Sequence, residues 1–268
     1  MALESEDTVY HLQNWGLSIR FMIHLRAGGM LSIRPGVEYV VRRLESNQMS
    51  EPIEVELSEN GNNLYIFFGG IAAGIAMPIF EFYNASKIIN ESKIFIRDLS
   101  QCWYQDGLPE ISKDICSTAQ HLNSQIETIK PEKVYFIGNS MGGYAAILFA
   151  NLIGCGEVIA FAPQTFISPI LRIRHKDKRW KKQILNTYKK SFLKRKIWDL
   201  RPLLLHSKHS IKISIFVSKA DKLDYIHASH ISGIQGVNIY EFENGGHGIV
   251  KLLRDQGKLQ AIMSGTYA

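Results

Sequence analysis

Residues 134–150 constrain this chain more than any other stretch. Val134-Tyr135-Phe136-Ile137 is an apolar run that reads as a buried strand. Gly138-Asn139-Ser140-Met141-Gly142-Gly143 is a turn of small residues around one serine, and Tyr144-Ala145-Ala146-Ile147-Leu148-Phe149-Ala150 continues as an apolar helix. A strand that turns at once into a helix forces the residue at the bend into a strained backbone and lifts its side chain clear of the sheet. Only glycines two positions before and after let the two elements approach closely. The helix then points its amino end at Ser140, so its partial positive charge and the N–H of Met141 favour an anion forming on a carbonyl held there.

Serine alone is a weak nucleophile and needs a base, which in turn needs a group to orient it. Both types follow downstream. Ile211-Lys212-Ile213-Ser214-Ile215-Phe216-Val217-Ser218 reads as a buried strand running through Lys219-Ala220 to Asp221. Asn238-Ile239-Tyr240-Glu241-Phe242 reads as the next strand, followed by Glu243-Asn244-Gly245-Gly246-His247-Gly248. Acid and base each sit just past a strand end, where a parallel sheet collects its functional loops.

With the order Ser140, Asp221, His247 and the G-x-S-x-G of residues 138–142, the chain resembles the α/β-hydrolase superfamily from about Leu64 to about Leu253. The resemblance implies a nucleophile elbow at Ser140 and a catalytic triad completed by Asp221 and His247, with Asp224 as the alternative acid. Leu64-Tyr65-Ile66-Phe67-Phe68-Gly69-Gly70-Ile71 looks like the strand and glycine turn that supply the second oxyanion donor. Met141 with Gly70 or Ile71 would then form the oxyanion hole. Many members carry His where this chain has Phe68, and Gly three residues before the acid where it has Ser218; neither change removes a group from the triad.

From Leu64 onward, strands are expected at 64–68, 93–97, 133–137, 157–162, 211–217 and 237–242, and helices near 78–90, 110–129, 141–153 and 248–262. Such alternation implies a mostly parallel central sheet with helices on both faces. Partial alternation at 17–25 and 37–44 suggests antiparallel N-terminal strands, with His24 a packed strand residue. A length of 268 residues and a 46% hydrophobic content fit a single α/β-hydrolase domain. An acidic amino terminus and the lack of a long apolar run point to a cytoplasmic protein without a transmembrane segment. Cys102, Cys116 and Cys155 have no metal-type spacing and read as reduced thiols.

The segment from Arg172 to Arg201 holds 13 Lys and Arg against Asp177 and Asp199, a formal +11 in a chain whose total is +6. The rest of the molecule is therefore acidic. By the resemblance, residues 164–205 form a helical basic cap inserted beside the site. Trp180, Ile184, Leu185, Tyr188, Phe192, Leu193 and Ile197 recur at three- and four-residue steps, as on a helix with one buried stripe. The outer face suits an acidic carrier protein, a coenzyme A ester or an anionic surface. Nucleic acid fits less well, because no recognised binding module accompanies the charge.

Trp103 and Tyr104, in a loop past the strand at 93–97, either wall a pocket or pack that loop, and Phe166 is a further candidate pocket residue. The expected activity is cleavage of a carboxylic ester or thioester through an acyl-enzyme on Ser140, with no cofactor and no metal. The alternative is an acyltransferase or thioesterase acting on a carrier- or CoA-bound acyl group. A third reading is a noncatalytic relative serving assembly or membrane attachment.

Overall fold

In the computed structural model, residues 51–71, 81–190 and 197–266 are described. The strands expected at 17–25 and 37–44, His24, Phe192 and Leu193 lie outside them.

Seven strands form one sheet among the described residues: β1 (Ile53–Glu56), β2 (Asn63–Phe68), β3 (Ser92–Ile96), β4 (Lys133–Asn139), β5 (Glu157–Phe161), β6 (Lys212–Ser218) and β7 (Val237–Phe242). Their order is β1-β3-β2-β4-β5-β6-β7. Only β1 runs antiparallel, with Ile53 opposite Ile96; every other neighbour is parallel. This is the mostly parallel sheet that the alternating pattern implies, with one antiparallel strand at its edge.

The helices are α1 (Ile115–Ile129), α2 (Met141–Ile153), α3 (Pro169–Arg174), α4 (Lys181–Lys190), α5 (Leu200–Leu205), α6 (Lys222–His230), α7 (Ile249–Asp255) and α8 (Leu259–Met263). The helix expected near 78–90 is, in its described part, a turn and a short 3-10 segment at Ala85–Ile88. The terminal helix expected near 248–262 is broken in two at Gly257, whose φ of +69° belongs to the left-handed region. Helix α6 has no counterpart among the helices expected from the sequence; Asp221 is its cap and Asp224 lies in its first turn.

Successive strand residues point to opposite faces, and both faces are apolar. Leu64, Ile66, Phe68, Ile94 and Phe136 pack with α1, α2 and α5, while Tyr65, Phe67, Phe95, Ile137 and Phe161 pack with α7 and α8. Helix α2 is buried from Met141 to Asn151 on every side, so it carries no polar stripe. Its first turn presses on the sheet. A Cβ at Gly142 would lie 2.1 Å from the Phe68 carbonyl oxygen, and one at Gly138 would lie 2.2 Å from Gly142. The glycines of the serine turn are therefore required by contact between strand and helix.

The insertion between β5 and β6 leaves the sheet through a narrow neck. Leu200 N–H donates to Thr165 O at 2.9 Å, Ile167 N–H donates to Trp198 O at 2.7 Å, and Phe166 bridges Asp199. Helices α3 and α4 lie beyond that neck. Helix α5, part of the cap expected at 164–205, instead buries Leu200 and Leu204 with the core around α2 and covers the sheet.

Candidate active site

Ser140 sits at the end of β4 with φ 55° and ψ −115°, a conformation that non-glycine residues rarely adopt. The bend is pinned from both sides: Ser140 N–H donates to Phe161 O at 2.9 Å, and Ser140 O accepts from Gln164 N–H at 3.2 Å and Tyr144 N–H at 3.1 Å. Met141 is the first residue of α2, so its N–H has no intrahelical partner.

The donor turn after β2 is already engaged. Gly70 N–H donates to Glu81 Oε2 at 2.7 Å, and the Asn139 side-chain amide donates to Glu81 Oε1 at 3.0 Å. A carboxylate of the protein itself thus occupies a donor proposed for the oxyanion hole, immediately beside Ser140. Burial raises the Glu81 pKa, while the bonds from Gly70 and Asn139 and the nearby His247 pull it back. Ile71 is half-buried against the core.

His247 lies in a 3-10 turn, Gly246–Gly248, just past β7. Its Nδ1 is 2.8 Å from Asp224 Oδ2, and Asp224 is fully buried. With Nδ1 donating to the carboxylate, Nε2 is left as the proton acceptor. No hydrogen bond joins Ser140 Oγ to His247 in this structure. Such bonds are often long before substrate binds and tighten with it.

The expected acid, Asp221, does something else. It caps α6: its Oδ1 accepts from Leu223 N–H at 2.9 Å and from Asp224 N–H at 3.0 Å. A side chain bonded to the first turn of a helix is committed to that turn. Asp224, within that turn, is the carboxylate that reaches His247. Of the two candidate acids, Asp224 is thus the one whose side chain meets His247, while Asp221 caps the helix that carries it.

A residue of the insertion completes the arrangement. Arg179 Nη1 is 2.6 Å from Asp224 Oδ1, the oxygen that His247 does not use, and 3.9 Å from Asp221 Oδ1. Asp177 holds Arg179 through its Nε at 3.2 Å, accepts from His227 Nε2 at 3.2 Å and forms an ion pair with Arg172 at 3.5 Å. Burial would raise the Asp177 pKa, but the bonds from His227 and Arg179 outweigh it and hold the carboxyl well below the usual range. Trp180 lies against the His247 ring, centroids 5.3 Å apart, with the Arg179 guanidinium 4.8 Å from the Trp180 ring. Asp221, Asp224 and His247 offer donor atoms within 4.8 Å of one another, a spacing that also suits a metal ion. Here the Arg179 guanidinium lies within 4 Å of both carboxylates and supplies the positive charge.

Residues 91–230, more than half of the chain, match the family described as an uncharacterised protein family, UPF0227. The chain belongs to UPF0227. The matched span takes in Ser140, Arg179, Asp221 and Asp224, while Gly70, Glu81 and His247 lie outside it. No curated protein matches the sequence.

Solved structures show the fold of this UPF0227 member to be that of the α/β-hydrolases. The capsule O-acetyltransferase of Neisseria meningitidis serogroup A is similar at TM-score 0.57 and 14% identity, over 79% of this chain and 90% of that one. MenH from S. aureus is similar at TM-score 0.53 and 15% identity, over 80% and 97%. MGS-M2, an α/β-hydrolase enzyme from a deep-sea metagenome library, is similar at 0.52 and 15%, over 81% and 94%.

The candidate pocket residues are not at a pocket surface. Trp103 and Tyr104 are fully buried: Trp103 Nε1–H donates to Gln164 Oε1 at 2.5 Å, and Tyr104 OH donates to Gly69 O at 2.9 Å. They anchor the loop after β3 beneath the serine turn. Phe166 is also buried, its ring 4.0 Å from that of His227 at the neck of the insertion. Gln164 leaves its buried Nε2 without a partner. Cys102 is an inert packed thiol, with burial and the neighbouring Asp98 pushing its pKa up.

Two polar residues of the site, Glu81 and Arg179, carry no signal in the sequence that points to it. Glu81 belongs to no motif, and nothing in its local sequence marks it. Arg179 was hidden in a run of charges that read as one solvated face.

Proposed function

We propose that this UPF0227 member is a serine hydrolase of carboxylic esters or thioesters, with Ser140, His247 and Asp224 as its triad. The observation that carries this reading is the 2.8 Å contact between Asp224 and His247 Nδ1, made past the sheet edge on which Ser140 stands in a left-handed bend. Ser140 Oγ attacks the acyl carbon and passes its proton to His247 Nε2. The carbonyl oxygen, now anionic, takes N–H bonds from Met141 and from Gly70 once Glu81 releases it. The tetrahedral adduct collapses, the bond to the leaving alkoxide or thiolate breaks, and His247 returns the proton to it. Water then attacks the acyl-Ser140 ester by the same route, releasing the carboxylic acid and the free serine. Asp224 keeps the imidazole in the working tautomer and stabilises its charged form.

The test is covalent labelling with a fluorophosphonate together with turnover of a short p-nitrophenyl ester. Wild type should label and turn over, and Ser140→Ala should do neither while keeping its fold; an unlabelled, folded wild type overturns the reading.

A second reading keeps the acyl-enzyme and replaces water by another acceptor. It is supported by the cationic outer face of the insertion, which suits an anionic acyl donor such as a coenzyme A thioester. One structural relative, the capsule O-acetyltransferase, was solved with CoA. Transfer from an acyl-CoA to an added alcohol at a rate above hydrolysis supports it; hydrolysis alone counts against it.

A further inference from the structure

Helix α3 is inverted relative to a helix that faces water. Its buried side chain is Arg172, turned inward to Asp177 and to the Arg179 carbonyl oxygen at 2.6 Å. Beside Arg174, its outward residues are Ile170 and Ile173, each 78% exposed, beyond any other large apolar side chain among the described residues; Ile88 is next at 58%. Three residues apart on a helix, the two isoleucines share one face.

The surroundings have a single sign. Between Ser168 and Lys189 the sequence contains one acid, Asp177, and it is buried on Arg172, Arg179 and His227. Arg174, Lys176, Lys178, Lys181 and Lys182 are all exposed, and none forms an ion pair among the described residues. Two apolar side chains at the tip of a helix, with five exposed cations within a few residues, match the depth profile of an anionic bilayer. The side chains reach the acyl boundary while the cations meet headgroup phosphates. A nucleic acid would use the cations but has no use for the isoleucines. A soluble acidic protein would need a matching apolar pocket as well.

We infer that α3 and the cations around it form a docking surface for an anionic lipid membrane. The inference goes beyond the hydrolase reading and stands whether or not Ser140 is a nucleophile, because vesicle binding is read without turnover. The same segment runs on into Asp177 and Arg179, so docking places the membrane next to the residue that holds Asp224.

The experiment is co-sedimentation of the full chain with vesicles of phosphatidylcholine containing phosphatidylglycerol, and with phosphatidylcholine alone, at about 0.1 M salt. Binding to the anionic vesicles is expected to exceed binding to the neutral ones by tenfold or more. Ile170→Ser with Ile173→Ser should weaken it by about tenfold or more, and each of Lys176→Gln and Lys178→Gln by about fivefold. All four positions are exposed, so the thermal midpoint should not move. Absence of sedimentation with the anionic vesicles overturns the inference. So does a double serine variant that binds like wild type while the lysine variants do not, since that pattern belongs to a soluble acidic partner. A wild-type dimer that the double serine variant converts to monomer would also overturn it, by showing a second copy on this face.

Discussion

Arg179 and Asp224 meet at 2.6 Å, guanidinium to carboxylate, with Asp224 fully buried. Because His247 takes the other oxygen, the acid is held from both sides, one of them supplied by the insertion. Arg179→Met strands a buried carboxylate, a loss on the order of 3 kcal/mol in stability. Ester turnover should fall with it, and Arg179→Lys should recover part of both. Chemical denaturation and steady-state kinetics on the two variants check this; a Met variant as stable and active as wild type would refute it.

Asp221 and Asp224 should separate cleanly. Asp224→Asn takes away the carboxylate that fixes the imidazole tautomer and is expected to reduce kcat about 10⁴-fold. Asp221→Ala loses a helix cap, about 1 kcal/mol of stability, and keeps its turnover. The opposite ranking of the two variants in kcat would restore Asp221 as the acid.

Glu81 competes with the substrate for the Gly70 N–H. Glu81→Ala should therefore raise kcat/KM. Burial raises the Glu81 pKa, and an ionised carboxylate accepts more strongly than a neutral one. The ratio of variant to wild-type kcat/KM should accordingly grow as pH rises through the Glu81 titration and shrink below it, with His247 common to both proteins. A variant slower than wild type at every pH would make Glu81 a participant in the chemistry.

His227 gives a pH signature in stability. Its Nδ1 accepts from Thr165 N–H at 3.2 Å and its Nε2 faces Asp177, so the neutral ring is fully used. Burial lowers its pKa, so near and below about 6.5 the unfolded chain binds the proton that the folded chain refuses. Stability should fall as pH drops through that region, before any loss from Asp177, which enters only below the ordinary carboxylate pKa near 4. Thermal midpoints of wild type and His227→Gln between pH 8 and 5 test this: the variant should start lower and decline less.

The parts of the fold visible in the sequence are those with strong local patterning. Strands β2 to β7 are apolar runs bounded by polar turns, and α2 follows from the glycines that its contact with Phe68 requires. Ser140 and His247 are each the one reactive residue of a glycine-rich turn, so both stood out. Asp221 is ambiguous in the sequence because an aspartate just past a strand end satisfies two rules at once, as acid of a sheet-edge site and as cap of a following helix, and the structure shows it as the cap. The apolar content of 222–230 is too low for periodicity to reveal α6, and without that helix the capping role was invisible. For Trp103 and Tyr104 the sequence leaves two roles open, pocket wall and loop packing, and the structure shows the packing. A loop over the sheet edge reads as solvent-facing, but backbone at positive φ turns both rings inward, onto Gln164 and Gly69.

The neck at Thr165 and Leu200 has a bearing on how such a chain can diversify. Since the two ends of the intervening segment are themselves bonded together, 34 residues leave and rejoin the sheet layer at one point. The pairing of β5 with β6 and the turn that bears Ser140 lie outside that segment, which touches α2 where the Tyr144 hydroxyl donates to Ile197 O. Whatever the segment faces can thus change as a cassette, provided each version brings along a cation for Asp224.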